Sequence, residues 1–454
     1  MDIVFACLAL LLLLAGYPVA ITLGGFAVLF AVFATLVGAF DLALLGAIPS
    51  RVFGIVTNPI LLAIPFFVLM GAILERSRIA AEMLEAATHG LRGLRGGAAV
   101  SVTLVGALLA ASTGIVGASV VTLGLLALPV LLSRGVAPNR AAGTVAAVGT
   151  LGQIVPPSIV LIVLGDQLSN AWQTAQTSSG NFAPDTVSVA DLFAASILPG
   201  ALLVGLFVCW QILRGDDAGQ GAQPVSSNTT AGSLSAFVPP FALVVAVLGS
   251  ILSGIATPSE AAAVGAFGAA LLGSRKLGWN DWRHIASEGV HLTCTIFTII
   301  IGASIFALVL RGLGGDETLA GWLSDLPGGA MGALAVVMLT VFLLGFVLDF
   351  IEITYVVLPL AAPVLLTLPM ADGSTMSPVW LGVLLALNLQ TSFLTPPFGL
   401  SLFYLRSVAP KQITTAMMYR GVVPYIGLQL LALALVFWWP SLATSLPNWF
   451  YGAS

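Results

Sequence analysis

The sequence predicts an all-α integral membrane protein built from two inverted halves. Three observations carry this reading: the composition, the sidedness of the basic residues, and two Pro-Pro pairs set inside hydrophobic stretches. The chain has 454 residues, 59% hydrophobic and 7% charged, with a mean hydropathy of +1.08. A soluble domain carries about 25% charged residues, so this chain is built for a bilayer. It has no Walker loop, dinucleotide fingerprint or zinc motif, which argues against ATP-driven transport. No nucleophile–base pairing lies in any span, so no enzyme activity is expected, and no nucleic-acid partner either. Cys7, Cys209 and Cys294 are scattered in apolar segments and read as packing residues, and His89, His284 and His291 form no ligand cluster. The first apolar run, Ile3 to Leu14, lacks a basic n-region and an obvious small-residue cleavage site, so no cleavable signal is expected.

Apolar runs long enough to cross a membrane, or nearly so, occupy 3–15, 18–38, 59–75, 137–166, 192–214, 236–253, 258–274, 287–311, 377–407 and 413–439. Two further stretches, 97–132 and 329–369, must reverse near Ser112-Thr113-Gly114 and near Asp349-Phe350-Ile351-Glu352. Each arm then holds roughly 16–20 residues, short to marginal for a crossing of about 20. They read as re-entrant helical hairpins, with two ordinary spans each as the alternative. With the N-terminus outside, only Arg51 and Arg311 of the 15 Lys and Arg residues fall outside, leaving 15 − 2 = 13 on or near the cytoplasmic side. That bias fixes orientation and the parity of spans. It puts both termini on the outer side, with the aromatic cluster Trp438, Trp439, Trp449, Phe450 and Tyr451 at the outer interface.

A polar, Gly/Ser-rich stretch, 215–234, reads as a flexible cytoplasmic linker between the halves. The expected plan is N-terminal scaffold helices over 1–57, a first repeat over 58–214, a second over 235–412 and a C-terminal helix over 413–454. Each repeat has a span, an amphipathic basic segment (Arg78 to Arg95; Trp279 to His291), a hairpin and a span broken at Pro-Pro. Leu128-Pro129-Val130-Leu131-Leu132 is echoed by Ala362-Pro363-Val364-Leu365-Leu366. The first hairpin opens from the cytoplasm and the second from outside, which defines an inverted repeat.

The two Pro-Pro pairs, Pro156-Pro157 and Pro396-Pro397, remove backbone donors and free carbonyls one turn earlier. In hydrocarbon such carbonyls survive only when buried in protein or lining a polar cavity. Matching interruptions in two halves point to a secondary transporter's binding site. The first tip offers Ser112, Thr113, Gly114 and Gly117, and the first break Gly152; the second half offers Gly345, Ser392 and Thr395. Neutral hydroxyls and carbonyls suit an alkali cation such as Na⁺, whereas a multivalent ion wants more carboxylates. The competing reading is close helix packing by small residues. The half-helix N-termini from Ser158 and from Phe398 are suited to face an anionic solute. Gln153, Ser158, Asp349, Glu352 and Gln390 are the polar side chains expected along the solute path. Asp349 and Glu352 admit three roles: support of a cation site, proton carriage, or a hydrogen-bond network at the tip. Thr257-Pro258-Ser259-Glu260 reads as a capping box, and Asn58-Pro59 as the start of a helix.

The runs Asn58 to Phe67, Gly149 to Ser158, Ala256 to Ala263 and Asn388 to Gly399 resemble the large membrane subunit of tripartite ATP-independent periplasmic (TRAP) transporters. The resemblance covers essentially the whole chain in order. It implies sodium-coupled uptake of an organic anion, a carboxylate or sugar acid, across the bacterial inner membrane. It also implies two partners, a small four-helix membrane subunit supplied as a separate chain and a periplasmic solute-binding protein. The fold it implies is an elevator, in which two hairpins and two broken helices move against a scaffold. By position, one sodium site uses Ser112, Thr113 and Gly114 with Gly152, Val155, Pro156 and Pro157. The second uses Gly345 with Ser392, Thr395 and Phe398. The alternative is a stand-alone Na⁺- or H⁺-coupled carboxylate symporter of related fold.

Overall fold

The computed structural model describes residues 1–181, 186–215 and 237–452, with the side chains of Ser112 and Thr113 outside the description. Apart from Gly215 the expected linker therefore lies outside the described residues. The described chain is helical, with one isolated β-bridge between Pro369 and Thr375. In order, α1 is Asp2–Leu14, α2 Val19–Leu36, α3 Ile48–Val56, α4 Ala63–Arg76, α5 Ile79–Gly90, α6 Gly97–Thr113 and α7 Val116–Ser133. The first broken span is α8 Pro138–Gly149 and α9 Ile159–Ser178, with a 3-10 turn, Thr150–Gln153, between them. There follow α10 Val189–Arg214, α11 Val238–Leu252, α12 Pro258–Gly273, α13 Trp279–Gly312, α14 Gly315–Ser324 and α15 Gly329–Leu344. The second hairpin returns through α16 Phe350–Val356 and α17 Leu358–Thr367. The second broken span is α18 Pro378–Leu394 and α19 Leu400–Val408, followed by α20 Thr415–Trp438 and α21 Ser441–Tyr451.

Five of these helices (α2, α7, α10, α13 and α20) are long and apolar enough to cross a bilayer, and α16 with α17 form a pair bent by 56°. Leu29 is 73% exposed and Phe267 65% exposed. Large apolar side chains at such exposure fit a lipid-facing surface. By contrast, Ala141 to Leu168 is buried throughout except at Val155, and so is Trp380 to Leu394. Helix stretches enclosed on all sides belong in the interior: α8 from Ala141 and α18 from Trp380 are enclosed in this way, whereas α9 beyond Leu168 and α19 carry exposed residues.

The chain forms two compact units that interleave along the sequence. The first comprises Met1–Leu62, Val163–Ser188 and His291–Gly382. Its core includes Phe5, stacked on Phe306 at 4.7 Å and on Phe26 at 5.3 Å between ring centroids. Gly24 of α2 meets Gly302 of α13, where small residues let two helix backbones approach.

The second unit comprises Ala63–Ile162, Val189–Val290 and Val383–Ser454. Here α4 lies along α12 and α8 along α20. A buried polar chain links four of its helices. Thr144 of α8 shares a hydrogen bond with the Tyr425 hydroxyl of α20 at 2.8 Å. The Gln211 amide of α10 donates to Tyr425 at 3.2 Å and to Thr103 of α6 at 2.7 Å. Such a network is low in cost only when each member is satisfied.

Three local readings are corrected. Asn58-Pro59 does not open a helix: residues 59–62 are turns and α4 begins at Ala63. Asn58 Oδ1 instead accepts from the Ile60 amide at 2.8 Å, a local turn bond that competes with helix. The amphipathic segment from Trp279 is not separate from the span after it, because α13 runs 34 residues without a break. No glycine or proline signal interrupts it strongly enough. The second hairpin turns at 345–349, before the expected position, and Phe350 already starts the returning helix. The Thr257–Glu260 capping box forms as read.

The α8–α20 contact gives a direct test. A Cβ on Gly421 would strike the backbone of Asn139 and Gly143, whereas one on Gly427 of the same helix meets nothing within 4 Å. Gly421→Ala should cost on the order of 1–3 kcal/mol through overpacking. Gly427→Ala should be neutral or stabilising by up to about 1 kcal/mol. Melting of the purified protein in detergent measures both.

Candidate functional site

In the second unit the helix leading into the first Pro-Pro stops at Gly149, tightens into the 3-10 turn, and leaves 154–158 without helix. The cause is local: Pro156 and Pro157 lack the donors that would bond back one turn. Both Pro-Pro peptide bonds are cis. Ser158 Oγ donates to the Gly152 carbonyl at 2.6 Å, repairing one of the freed acceptors.

The tip of the first hairpin is packed against this break. α6 ends at Gly114, whose φ of 62° is left-handed and strains any residue with a side chain. A Cβ there would lie 2.8 Å from the Ile159 amide nitrogen, and one on Gly152 would lie 2.6 Å from the Ala110 carbonyl oxygen. Gly106 and Leu123 meet across the hairpin, so its arms fold back on each other. The structure thus brings together Gly114, Gly152 and Ser158, with Pro156 and Pro157 buried and Val155 half-buried.

The second break contributes oxygens from the same unit. Ser392 is fully buried and its hydroxyl has no partner among the described residues. Thr395 Oγ1 donates to the Thr391 carbonyl at 2.7 Å, which leaves its lone pairs available. Phe398 is 63% exposed, so its side chain is not buried at the break. Gly345, assigned by position to the same cation site, caps α15 in the first unit.

Gln390 and Thr150 connect the two breaks. The amide nitrogens of Gln390 and Gln429 each donate to Thr150 Oγ1 at 3.2 Å. Among the described residues, the amide oxygens of Gln153, Gln390 and Gln429 are buried without a partner, as is the Gln153 nitrogen. An unsatisfied buried polar group costs roughly 1–3 kcal/mol. A cluster of them beside two helix breaks is therefore suited to a polar ligand. Thr150 and Gln429 escaped the sequence reading. Gln429 had a signal, being the one polar side chain between Ile426 and Phe437.

Asp349 and Glu352 have a structural occupation in the first unit. Asp349 is the N-cap of α16 and accepts from the Phe350 amide at 2.8 Å, while Glu352 accepts from the Asp349 amide at 3.1 Å. This capping box satisfies amides that have no partner within the helix. Glu75, at the end of α4, accepts from the Thr122 hydroxyl of α7.

Gly152→Val should lower stability by about 1–3 kcal/mol, because the nearest obstacle is backbone and cannot move aside. A thermal melt unchanged from the parent would show that the tip does not rest on the break.

Comparisons with known proteins identify the lineage. Residues 5–442 match the family model for the tripartite ATP-independent periplasmic transporter, DctM component. The chain is 30% identical to the C4-dicarboxylate TRAP transporter large permease protein DctM of Pseudomonas aeruginosa, covering 86% of each chain. It is 28% identical to the DctM protein of Rhodobacter capsulatus over 97% of each. It is also 28% identical to the 2,3-diketo-L-gulonate TRAP transporter large permease protein YiaN of Escherichia coli, over 83% of this chain and 84% of that one. Among solved structures, the Alcanivorax borkumensis YdaH transporter superposes with a TM-score of 0.55 at 18% identity, covering 97% of this chain and 99% of that one. That likeness concerns the fold. The chain belongs to the DctM family of TRAP transporter large permeases, multi-pass membrane transporter subunits rather than enzymes.

Proposed function

We propose that this chain carries out Na⁺-coupled import of an organic anion delivered by a periplasmic binding protein, together with a small membrane subunit. The observation that carries the reading is the meeting of the first hairpin tip with the first break. Beside it, in the same unit, lie the unpartnered oxygens of Gln153, Gln390, Ser392 and Gln429. These are neutral, hard oxygens with no carboxylate among them, a donor set that favours an alkali cation over a divalent one. Sodium bound between tip and break would stabilise the solute-competent site, and the inward gradient would then favour loaded inward movement. The names of the relatives support an anionic solute, since C4-dicarboxylates and 2,3-diketo-L-gulonate are both carboxylates.

In this reading Ser112, Thr113, Gly114, Gly152, Val155, Pro156 and Pro157 supply the first cation site. Ser392, Thr395 and Phe398 contribute to the second. Gln153, Ser158 and Gln390 border the solute path, and Asp349 with Glu352 hold the second tip in shape rather than relaying protons. The chain sits in the inner membrane with both termini outside, and its inverted repeats work as an elevator.

Uptake into proteoliposomes tests this. Transport with the complete three-component system should rise with an inward Na⁺ gradient and stop when the gradient is collapsed. Uptake that ignores the gradient would sink the coupling, and uptake without the binding protein would favour a stand-alone symporter. Thr395→Ala should raise the Na⁺ concentration for half-maximal uptake roughly tenfold, the cost of one hydroxyl contact to a charge. Its melting temperature should change little; equal loss of both returns Thr395 to a packing role.

A further inference from the structure

The first unit contains a cavity of ≈ 270 Å³ lined by Arg51, Asn58, Asp166, Asn170, Arg311 and Tyr355 among others. Its charged lining is two arginines and one aspartate, a net of +2 − 1 = +1. The three charges are not equally committed. Arg311 is paired with Asp316 at 3.2 Å and donates to the Pro359 carbonyl at 2.9 Å. Asp166 accepts from Asn58 at 2.9 Å, from Gln167 at 2.9 Å and from the Tyr355 hydroxyl at 3.4 Å, so its oxygens are occupied. Arg51 makes one long contact among the described residues, 3.5 Å to the Ser304 carbonyl. Among the described residues no carboxylate stands within ion-pair distance of it.

A half-buried guanidinium without a counter-ion is an unusual arrangement, because burial of an unpaired charge is costly. Desolvation, and then the like charge of Arg311, pull the Arg51 guanidinium below its usual value. An anion in the cavity would relieve both. We propose that this cavity is a binding site for a small organic anion, with Arg51 taking its carboxylate or sulfonate group. A guanidinium presents a planar fork that matches such a group bidentately. Asn170 and Thr174 add polar partners on one side, and Leu61, Ala307 and Pro363 provide apolar wall for a short carbon skeleton. The volume suits a ligand of this size: a water takes about 30 Å³, and drug-sized pockets begin near 300 Å³. A bare inorganic ion would leave the apolar wall unused. Arg51 and Arg311 are also the two basic residues that the charge map places on the outer side. Resting on the proposed import of an organic anion, the site is a waiting position for that anion on the outer face.

The test uses the purified full chain without Na⁺, which separates it from the coupling reading. Cys7, Cys209 and Cys294, all exposed and free, are changed to serine, and Asn170→Cys places a thiol on the cavity wall. Two probes of opposite charge then report the field: methanethiosulfonate ethylsulfonate and methanethiosulfonate ethyltrimethylammonium. With each rate normalised to a free thiol in solution, the anionic reagent should react several-fold faster than the cationic one. Succinate or isethionate should slow that reaction. Arg51→Gln should bring the ratio to about one and abolish the protection, while Arg51→Lys keeps the preference for the anion. Because the first measurement retains Arg51, it decides the matter even where Arg51→Gln fails to fold. A ratio at or below one with Arg51 present overturns the proposal, as does protection by neither anion. Protection by the binding protein alone would make the cavity a protein-docking surface and overturn it too.

Discussion

A backbone carbonyl that loses its helical partner inside a membrane protein has no water to turn to, and this constraint organises the second unit. Two helices stop in mid-span because Pro-Pro withdraws the donors. Each freed group must then be met by protein or ligand, and only a deeply enclosed position can supply that. The first break accordingly sits inside the buried stretch 141–168, and the buried stretch 380–394 leads directly into the second. Ser158 answers one carbonyl directly. The side-chain oxygens of Gln153, Gln390, Ser392 and Gln429, without a partner among the described residues, stay available for a ligand.

Close approach makes this enclosure possible. The hairpin tip can reach the break only because Gly114 and Gly152 present no side chain to Ile159 and Ala110. The same device recurs where α8 crosses α20 at Gly143 and Gly421. Without a hydrophobic driving force between helices in lipid, packing of this kind supplies much of the association. Glycine here is therefore tied to the site: each contact sets the distance between an element that breaks and an element that covers it.

Much of this was legible in the sequence, and the parts that were not share a cause. Proline pairs, spans and the Thr257 capping box are local signals, carried by residues adjacent in the chain. The second hairpin misled because Asp349 and Glu352 looked like a turn, whereas their spacing serves the first turn of α16. Asn58 looked like a helix cap, but its oxygen bonds a turn amide and its nitrogen reaches Asp166, 108 residues away. The continuity of α13 escaped because amphipathic and apolar segments differ in composition while sharing one helical backbone.

The sequence alone determined that the chain lives in a membrane, that it breaks two helices at matched places, and that neutral oxygens accompany the breaks. Those features follow from composition and from the covalent chemistry of proline. Only the tertiary structure decided which oxygens converge. Thr150 receives Gln390 and Gln429 from residues 240 and 279 positions away. Likewise, among the described residues Arg51 has no carboxylate within ion-pair distance, while Arg311 takes Asp316 and Asp166 is bound by Asn58, Gln167 and Tyr355. Long-range pairing of this kind depends on how helices pack, and no local pattern records it.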